Sequence, residues 1–305
     1  MDHLTALRVF CAIVREGSFS RAAKALNLSN AAASKNISEL EAHLGAQLVI
    51  RSTRQLKLTE GGNAFYERIS SVLSGLDEAE DMLADLSREP CGSLQVTLPV
   101  SLGIVWIAPL LQNFMQRYPG IILNMDLDDS TRNIIKGGYD LAIRGSGELP
   151  DSSFRARKLA TFDRILCASP NYLEVHGSLE RPQELSGHCC VAYSNAVEPD
   201  IWRFTGADGE VSVPVRPAMR LNNSLAIVQA VQAGVGVAIL PSPYVEEPLA
   251  TGKLVHVLSH WKAARQALYA IYPATPFLPK RIGCFVDFLV ENLPPKVSHY
   301  FTDSK

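Results

Sequence analysis

The sequence predicts two dissimilar parts. The first is an N-terminal all-α winged helix-turn-helix continuing into a long linker helix, and the second is a C-terminal α/β body of two lobes. Three observations carry this. Residues Ser18 to Leu44 form two short helical patterns around a tight turn. A 3.5-residue apolar repeat then runs through Phe65, Ile69, Val72, Leu76, Ala79, Leu83 and Leu86. From Ser93 onward the pattern alternates between strand and helix in two successive series. At 305 residues the chain has room for two or three domains, each with its own core.

Leu4, Leu7, Phe10, Cys11 and Val14 recur at helical spacing and give a first, bracing helix. Ser18 is placed to N-cap a second helix through Leu26, whose alanines allow close packing. Asn27-Leu28-Ser29-Asn30 interrupts it, with Ser29 placed as the next N-cap. A third helix follows from Ala31 to His43, with Ile37, Leu40 and Leu44 on its apolar face. Its other face is short and polar, comprising Asn30, Ser34, Lys35, Asn36 and Ser38. Such a face can enter a DNA major groove, where small donors and acceptors must reach base edges without clashing. Lys35 suits a phosphate or a guanine edge. Between Ala46 and Thr59, two apolar runs flank a basic tip that includes Arg54, the pattern of a β-hairpin wing. Thr59-Glu60-Gly61-Gly62 opens the linker helix, whose narrow seam predicts pairing with a second copy, the alternative being a helix lying on its own body. Pro90-Cys91-Gly92 reads as a hinge.

In the second part, strands are predicted at Leu94–Leu98, Ile121–Leu127, Tyr139–Arg144, Arg164–Ala168, Cys189–Tyr193, Gly236–Pro241 and Ala267–Tyr272. Helices are predicted at 101–117, 132–136, 224–233 and 280–293. This alternation favours parallel sheets with ligands at the carboxyl ends of strands, here in a cleft between two lobes. Ser101 and Leu102 begin a helix directly after a strand, so their N–H groups are placed either to hold an anion or to be capped by Ser101 itself. Asp128, with Asp129 and Ser130, follows the next strand, and acidic groups there disfavour a carboxylate ligand if they face the cleft. Arg144 and Ser146 lie just past Ile143, while Tyr193 and the Asn222-Asn223 pair complete the candidate pocket. Trp202, in the strand-like run Ile201-Trp202-Arg203-Phe204, reads as core.

Composition agrees with this division. Apolar residues make up 47% and charged residues 20%, as in a globular chain. The net charge of -2 is uneven: residues 1–60 hold eight Lys and Arg against five Asp and Glu, a basic head on an acidic body. Arg8 and Arg15 interrupt the apolar N-terminal stretch, no run reaches the roughly 20 apolar residues of a membrane span, and the expected location is cytoplasmic. The six cysteines have neither metal-ligand nor disulfide-framework spacing. They are expected to be buried, reduced thiols, with Cys189 and Cys190 pointing to opposite faces of a strand. A redox pairing of Cys167 with Cys189 or Cys190 is the alternative. The histidines fall in no nucleophile motif, so no enzyme, cofactor or metal is expected.

These residues resemble the LysR-type transcriptional regulators over essentially the whole chain. The resemblance is densest in Phe10, Gly17-Ser18-Phe19-Ser20-Arg21-Ala22-Ala23, Leu28 through Lys35, Ile37, Leu40-Glu41, Leu44-Gly45, Leu48, Arg51, Leu58-Thr59 and Gly61. Farther along it rests on Gly138 through Arg144 and on Ala233 through Pro241. It implies a DNA-binding domain over 1–62, a dimerisation helix over 63–90 and an effector domain over 91–305. The effector domain is similar to type 2 periplasmic binding proteins, with lobe I near 92–162 and 268–305 and lobe II near 163–267. It further implies a homodimer or homotetramer on double-stranded DNA, and a small-molecule inducer between the lobes. Asn30, Ala31, Ser34 and Lys35 are the residues that the resemblance places in the major groove, and Arg54 lies at the wing tip. Asn30, Ala31 and Lys35 depart from the commoner Gln, Pro or Ser, and Arg, which bears on base preference and not on fold. The competing expectation is a small-molecule-binding protein whose N-terminal domain serves assembly only.

Overall fold

A computed structural model of the chain describes residues 2–51, 56–85, 89–130, 138–145, 154–207, 209–275 and 277–294. Two compact units emerge, one built on the residues up to Arg88 and one on the bulk of those from Glu89.

In the first unit, α1 (His3–Glu16), α2 (Phe19–Ala25) and α3 (Asn30–Leu44) pack around Phe10, Ile13, Ala22, Ala33, Ile37 and Leu40, all fully buried. The alanines on α2 allow the close approach that the sequence suggests. Gly17 and Gly45 end α1 and α3 in the left-handed conformation, which glycine adopts without steric penalty. Ser18 occupies the N-cap position of α2, but its hydroxyl makes no cap bond. Strands β1 (Val49–Arg51) and β2 (Leu56–Leu58) form the antiparallel wing. Glu41 on α3 anchors it, its Oε1 accepting from the Leu48 N–H at 2.8 Å and the Val49 N–H at 3.0 Å. Thr59 Oγ1 caps the next helix by accepting from the Gly62 N–H at 2.8 Å. Gly62 itself must lack a side chain, because a Cβ there would stand 2.1 Å from the Leu48 carbonyl oxygen.

Helix α4 (Glu60–Asp85) divides the predicted seam between two environments. Phe65 and Ile69 pack on the unit's own core beside buried Tyr66 and Leu73, whereas Val72 is 64% exposed. The apolar stripe is therefore wider than a strict two-position seam, and its early turns serve the body of the unit. The side chains of Ala79, Leu83 and Leu86 lie outside the described residues.

The second unit holds a five-stranded sheet in the order β4-β3-β5-β15-β6, comprising Ile121–Leu127, Gly92–Leu98, Leu141–Gly145, Gln266–Pro273 and Phe154–Phe162. Its core includes Leu94, Leu98, Phe114, Ile143, Phe285 and Leu289, with α10 (Lys280–Asn292) packed on it. The predicted 101–117 helix is broken. A short α5 (Val100–Leu102) widens through Gly103–Ile107, tightens through Ala108–Leu110 and resumes as α6 (Leu111–Arg117). Pro109 lies at the tight turn, where its missing N–H interrupts the helical hydrogen bonds. The predicted 132–136 helix lies outside the described residues.

The remaining strands build the other lobe. Central β7 (Arg164–Ala168) lies between β12 (Ala238–Pro241) and β13 (Val255–His256), and β8 (Cys190–Tyr193) pairs with β11 (Pro217–Leu221). A third sheet joins β10 (Gly209–Pro214), β9 (Ile201–Gly206) and β14 (Lys262–Ala263). Alternate residues of β7 face opposite layers: Ile165 and Cys167 meet α8 (Ser224–Gln232), and Leu166 and Ala168 meet the cluster holding Trp202 and Phe204. Trp202 is thus a core residue. The smaller helices α7 (Pro170–His176) and α9 (Glu246–Ala250) complete this lobe.

Among the described residues, β3 with its two neighbours and β8 with β11 pair in parallel, and an isolated parallel bridge joins Cys190 to Val237; the other strand pairs are antiparallel. The expectation of parallel sheets holds for β4-β3-β5 and for β8 with β11 but not for the rest: the chain crosses between lobes twice, through β6 into β7 and through β14 into β15, and β15 runs antiparallel to β5 and β6. At those crossings the Arg265 Nε–H donates to Oδ1 of buried Asp163 at 2.8 Å, tying one crossover to the other. Cys167 and Cys190 are buried, but Cys91 and Cys189 are exposed, so the thiols are not uniformly interior. Cys189 and Cys190 do face opposite ways. All six are free, which leaves the redox pairing without a formed bond.

Replacing Glu41 with Ala removes two charge-assisted hydrogen bonds and should cost the first unit about 2 kcal/mol. Because Trp106, Trp202 and Trp261 all lie in the second unit, urea unfolding followed by helical circular dichroism should show an earlier component while tryptophan fluorescence holds its midpoint. Coincident, unshifted transitions would contradict this.

Candidate functional site

Helix α3 starts at Ser29, whose Oγ accepts from the Ala32 N–H at 3.1 Å. That cap fixes the first turn, leaving Asn30 and Ala31 exposed and Ser34 half-buried on the turn after. Lys35 is exposed, and its Nζ lies 3.8 Å from Glu39 Oε1, a long solvent-screened pair that leaves the ammonium free to reorient. Asn36 and Ser38 differ from expectation. The Asn36 side chain donates to the Ala32 carbonyl at 2.9 Å and the Ser38 hydroxyl to the Ser34 carbonyl at 3.1 Å, so both use a donor on their own helix. Arg54 lies outside the described residues.

In the second unit the two lobes meet through Asp129. Its Oδ1 accepts from the Val100 N–H at 3.0 Å, and its Oδ2 accepts from Asn223 Nδ2 at 2.7 Å. Asn195 Nδ2 donates to the Asp129 carbonyl at 2.6 Å. Asn223 in turn N-caps α8, its Oδ1 accepting from the Ala226 N–H at 3.0 Å. Beside this latch, the Oγ of buried Ser101 accepts from the Leu225 N–H at 3.2 Å. Ser101 therefore bridges lobes rather than capping its own helix, and the anion at the start of α5 is the protein's own Asp129 carboxylate. Leu102 is part of the buried core of the first lobe.

Asp128 accepts from the Ser130 N–H and hydroxyl at 2.8 and 2.7 Å. Arg144 is half-buried, donating to the Ile143 carbonyl at 2.9 Å and to Thr97 Oγ1 at 3.1 Å. Burial lowers its pKa, and Asp128, Tyr139, Asp129 and Tyr193 oppose that shift. Tyr193 is half-buried at the end of β8; its pKa is raised by burial and by Asp129, with a hydrogen bond to the Asn195 side chain, then Arg144 and Arg164, pulling the other way. Electrostatics thus bring Asp128, Asp129, Arg144 and Tyr193 into one neighbourhood with Asn223. Asn222 is exposed, and Ser146 lies outside the described residues.

The sequence reading names Asp129 only beside Asp128 and misses two further residues. Asn195 sits in an irregular stretch after β8. Arg164 opens an otherwise apolar strand, Arg164-Ile165-Leu166-Cys167-Ala168, and that lone cation was the available signal. Among the described residues, no group of three or more His, Cys, Asp or Glu could hold a metal ion, and no helix is long and apolar enough to cross a membrane.

A capped, exposed helix on a three-helix unit, together with an α/β body of two lobes joined through Asp129, fits a DNA-binding domain followed by an effector-binding domain. Comparison with known proteins gives the family. Residues 4–63 match the bacterial regulatory helix-turn-helix protein, lysR family, and residues 87–294 match the LysR substrate binding domain. The chain belongs to the LysR-type transcriptional regulators. Relatives include an HTH-type transcriptional repressor of Pseudomonas aeruginosa, 35% identical over 95% of this chain and 92% of its own length. The regulator CrgA of Neisseria meningitidis is 33% identical over 94% and 96%. Among solved structures, the full-length Vibrio cholerae virulence activator AphB superposes with a TM-score of 0.66 at 28% identity, covering 94% of this chain and 98% of that one. CrgA does so at 0.61 and 33% identity, covering 94% and 97%.

Asn223→Ala removes both a helix cap and the side-chain bond to Asp129, and should lower the stability of the second unit by about 1–2 kcal/mol. Tryptophan-monitored urea unfolding of the full chain checks this. An unchanged midpoint would mean that the latch contributes nothing.

Proposed function

We propose that this regulator binds promoter DNA as a homodimer or homotetramer and responds to a small-molecule inducer held between the lobes. Asn30, Ala31, Ser34 and Lys35 meet the major groove, and Arg54 extends the wing toward the adjacent backbone or minor groove. The observation that carries this reading is the first turn of α3: side-chain capped, exposed, and fixed by a core in which Ile37 and Leu40 are fully buried. A rigidly held row of short polar groups is what base readout needs, and mere assembly would not require it. Self-pairing is supported by α4, where Val72 stays exposed on an apolar stripe.

The inducer site takes in Ser101, Leu102 through its backbone, Asp128, Arg144, Ser146, Tyr193, Asn222 and Asn223. A ligand there competes with the Asp129 latch and so acts on lobe closure. Catalysis is not part of the proposal: among the described residues, the polar groups named in the cleft are engaged with one another or with backbone. The protein acts in the cytoplasm, where its DNA is.

Fluorescence anisotropy on duplex DNA from immediately upstream of the gene, against a scrambled duplex, tests the proposal. Binding should be selective and fall with salt at a log–log slope of about -0.9 per neutralised phosphate. Lys35→Ala and Arg54→Ala should each weaken it and reduce the slope by about one. Equal affinity for both duplexes, unmoved by either substitution, would favour a head that serves assembly only.

A further inference from the structure

Away from the cleft, the second lobe holds a group of titratable side chains whose contacts form one network. Tyr172 on α7 is 2% exposed, and its phenol oxygen accepts from the Cys189 N–H at 2.9 Å. His188 Nδ1 lies 3.2 Å from the same oxygen. The His176 ring stacks on Tyr172 with centroids 4.2 Å apart, and its Nδ1–H donates to the Tyr172 carbonyl at 3.1 Å. Burial raises the Tyr172 pKa, so the phenol keeps its proton near neutrality. With the oxygen already accepting from Cys189, that proton is directed to His188 Nδ1, and neutral His188 carries its hydrogen on Nε2.

The network grips the chain where β8 begins. The Cys189 carbonyl accepts from the Val237 N–H at 2.9 Å, and the Val191 N–H donates to the Val237 carbonyl at 2.9 Å. A Cβ at Gly236 would stand 2.1 Å from the Cys189 carbonyl oxygen, so the two segments have no slack between them. Farther along, the same strand carries Tyr193 to the interlobe neighbourhood.

The titratable groups around His188 are Tyr172 and His176 from α7, Glu184 from the turn Pro182–Gly187, and the free thiols of Cys189 and Cys190. Burial, then His176, hold the His188 pKa below its ordinary value, and Glu184 pulls the other way. Glu184 is itself committed, its Oε2 accepting from the Glu180 N–H at 2.8 Å and the Arg181 N–H at 3.2 Å. A proton added to His188 lands on Nδ1 and faces the phenol, so two donors meet. The phenol hydrogen then loses its acceptor in a site closed to solvent.

We propose that His188 is a proton switch: near neutral pH it is uncharged and clasped by Tyr172, and on acidification it charges, displaces the phenol and frees the start of β8. The switch lies in the fold of this lobe and operates whatever the cleft binds. Because the folded state keeps His188 neutral more strongly than the unfolded chain does, its contribution to stability is present above about pH 6.5. That contribution is lost as pH falls from there through the lower folded-state value.

Amide hydrogen exchange on the full-length protein at about pH 7.5 and about pH 5.5, corrected for the intrinsic pH dependence of exchange, tests this. In the unsubstituted protein, Cys189 should lose protection about fivefold at the lower pH, and Val237 should follow, while amides in β3 and β5 hold theirs. His188→Asn keeps a neutral acceptor in place of Nδ1 and cannot charge over this range, so its Cys189 protection should be equal at both pH values. Tyr172→Phe leaves the Cys189 N–H without its acceptor and should give weak protection at both. Protection in the unsubstituted protein that does not change with pH overturns the proposal. So does an equal acid loss in His188→Asn or in Tyr172→Phe, which would trace the response to another group such as His256, whose pKa burial also lowers.

Discussion

The second unit depends on one carboxylate. Asp129 lies just past the end of β4 in the first lobe and joins that lobe's α5 to the cap of α8 in the second. Each of its oxygens has a partner on a different element. Because α5 starts with free N–H groups and Asn223 is already committed to capping α8, the acid satisfies two local demands while fixing the distance between lobes. Ser101 and Asn195 add one bond each across the same line. In the proposed inducer response, a ligand entering here would compete with the bonds that Asp129 makes to Val100 and Asn223.

The first unit uses the same device for another purpose. Glu41 turns back from α3 to hold the Leu48 and Val49 amides, which ties the start of β1 to α3. Thr59 and Gly62 then start α4 against the Leu48 carbonyl with no space for a side chain. Presentation of Asn30 through Lys35 thus follows from bonds made elsewhere in the unit. Small exposed side chains suffice for readout only where the backbone beneath them is fixed.

Much of this was legible in the sequence because it rests on local rules. The three N-terminal helices, the Ser29 cap, the wing and the start of α4 each follow from spacing and capping within a few residues. Trp202 as core followed from its strand-like, apolar neighbours. What was hidden is non-local. Strand β6 carries Arg155, Arg157 and Lys158 on an edge and so lacked an apolar signature. The antiparallel pairing of β15 with β5 and β6 follows from the chain's return to the first lobe, which no short window contains. Ser101 was placed correctly at a helix start, yet its partner is Leu225, 124 residues away. Asp129 could not be ranked above Asp128 by composition; only the partners that each one finds set them apart.

Amide hydrogen exchange on the full-length protein, with and without Asp129→Ala, tests the central claim most directly. If Asp129 latches the lobes, the substitution should speed exchange at Val100 and Leu225 together while amides in β3 and β5 keep their protection. Unchanged rates at Val100 and Leu225, or a uniform loss across the whole unit, would contradict the account.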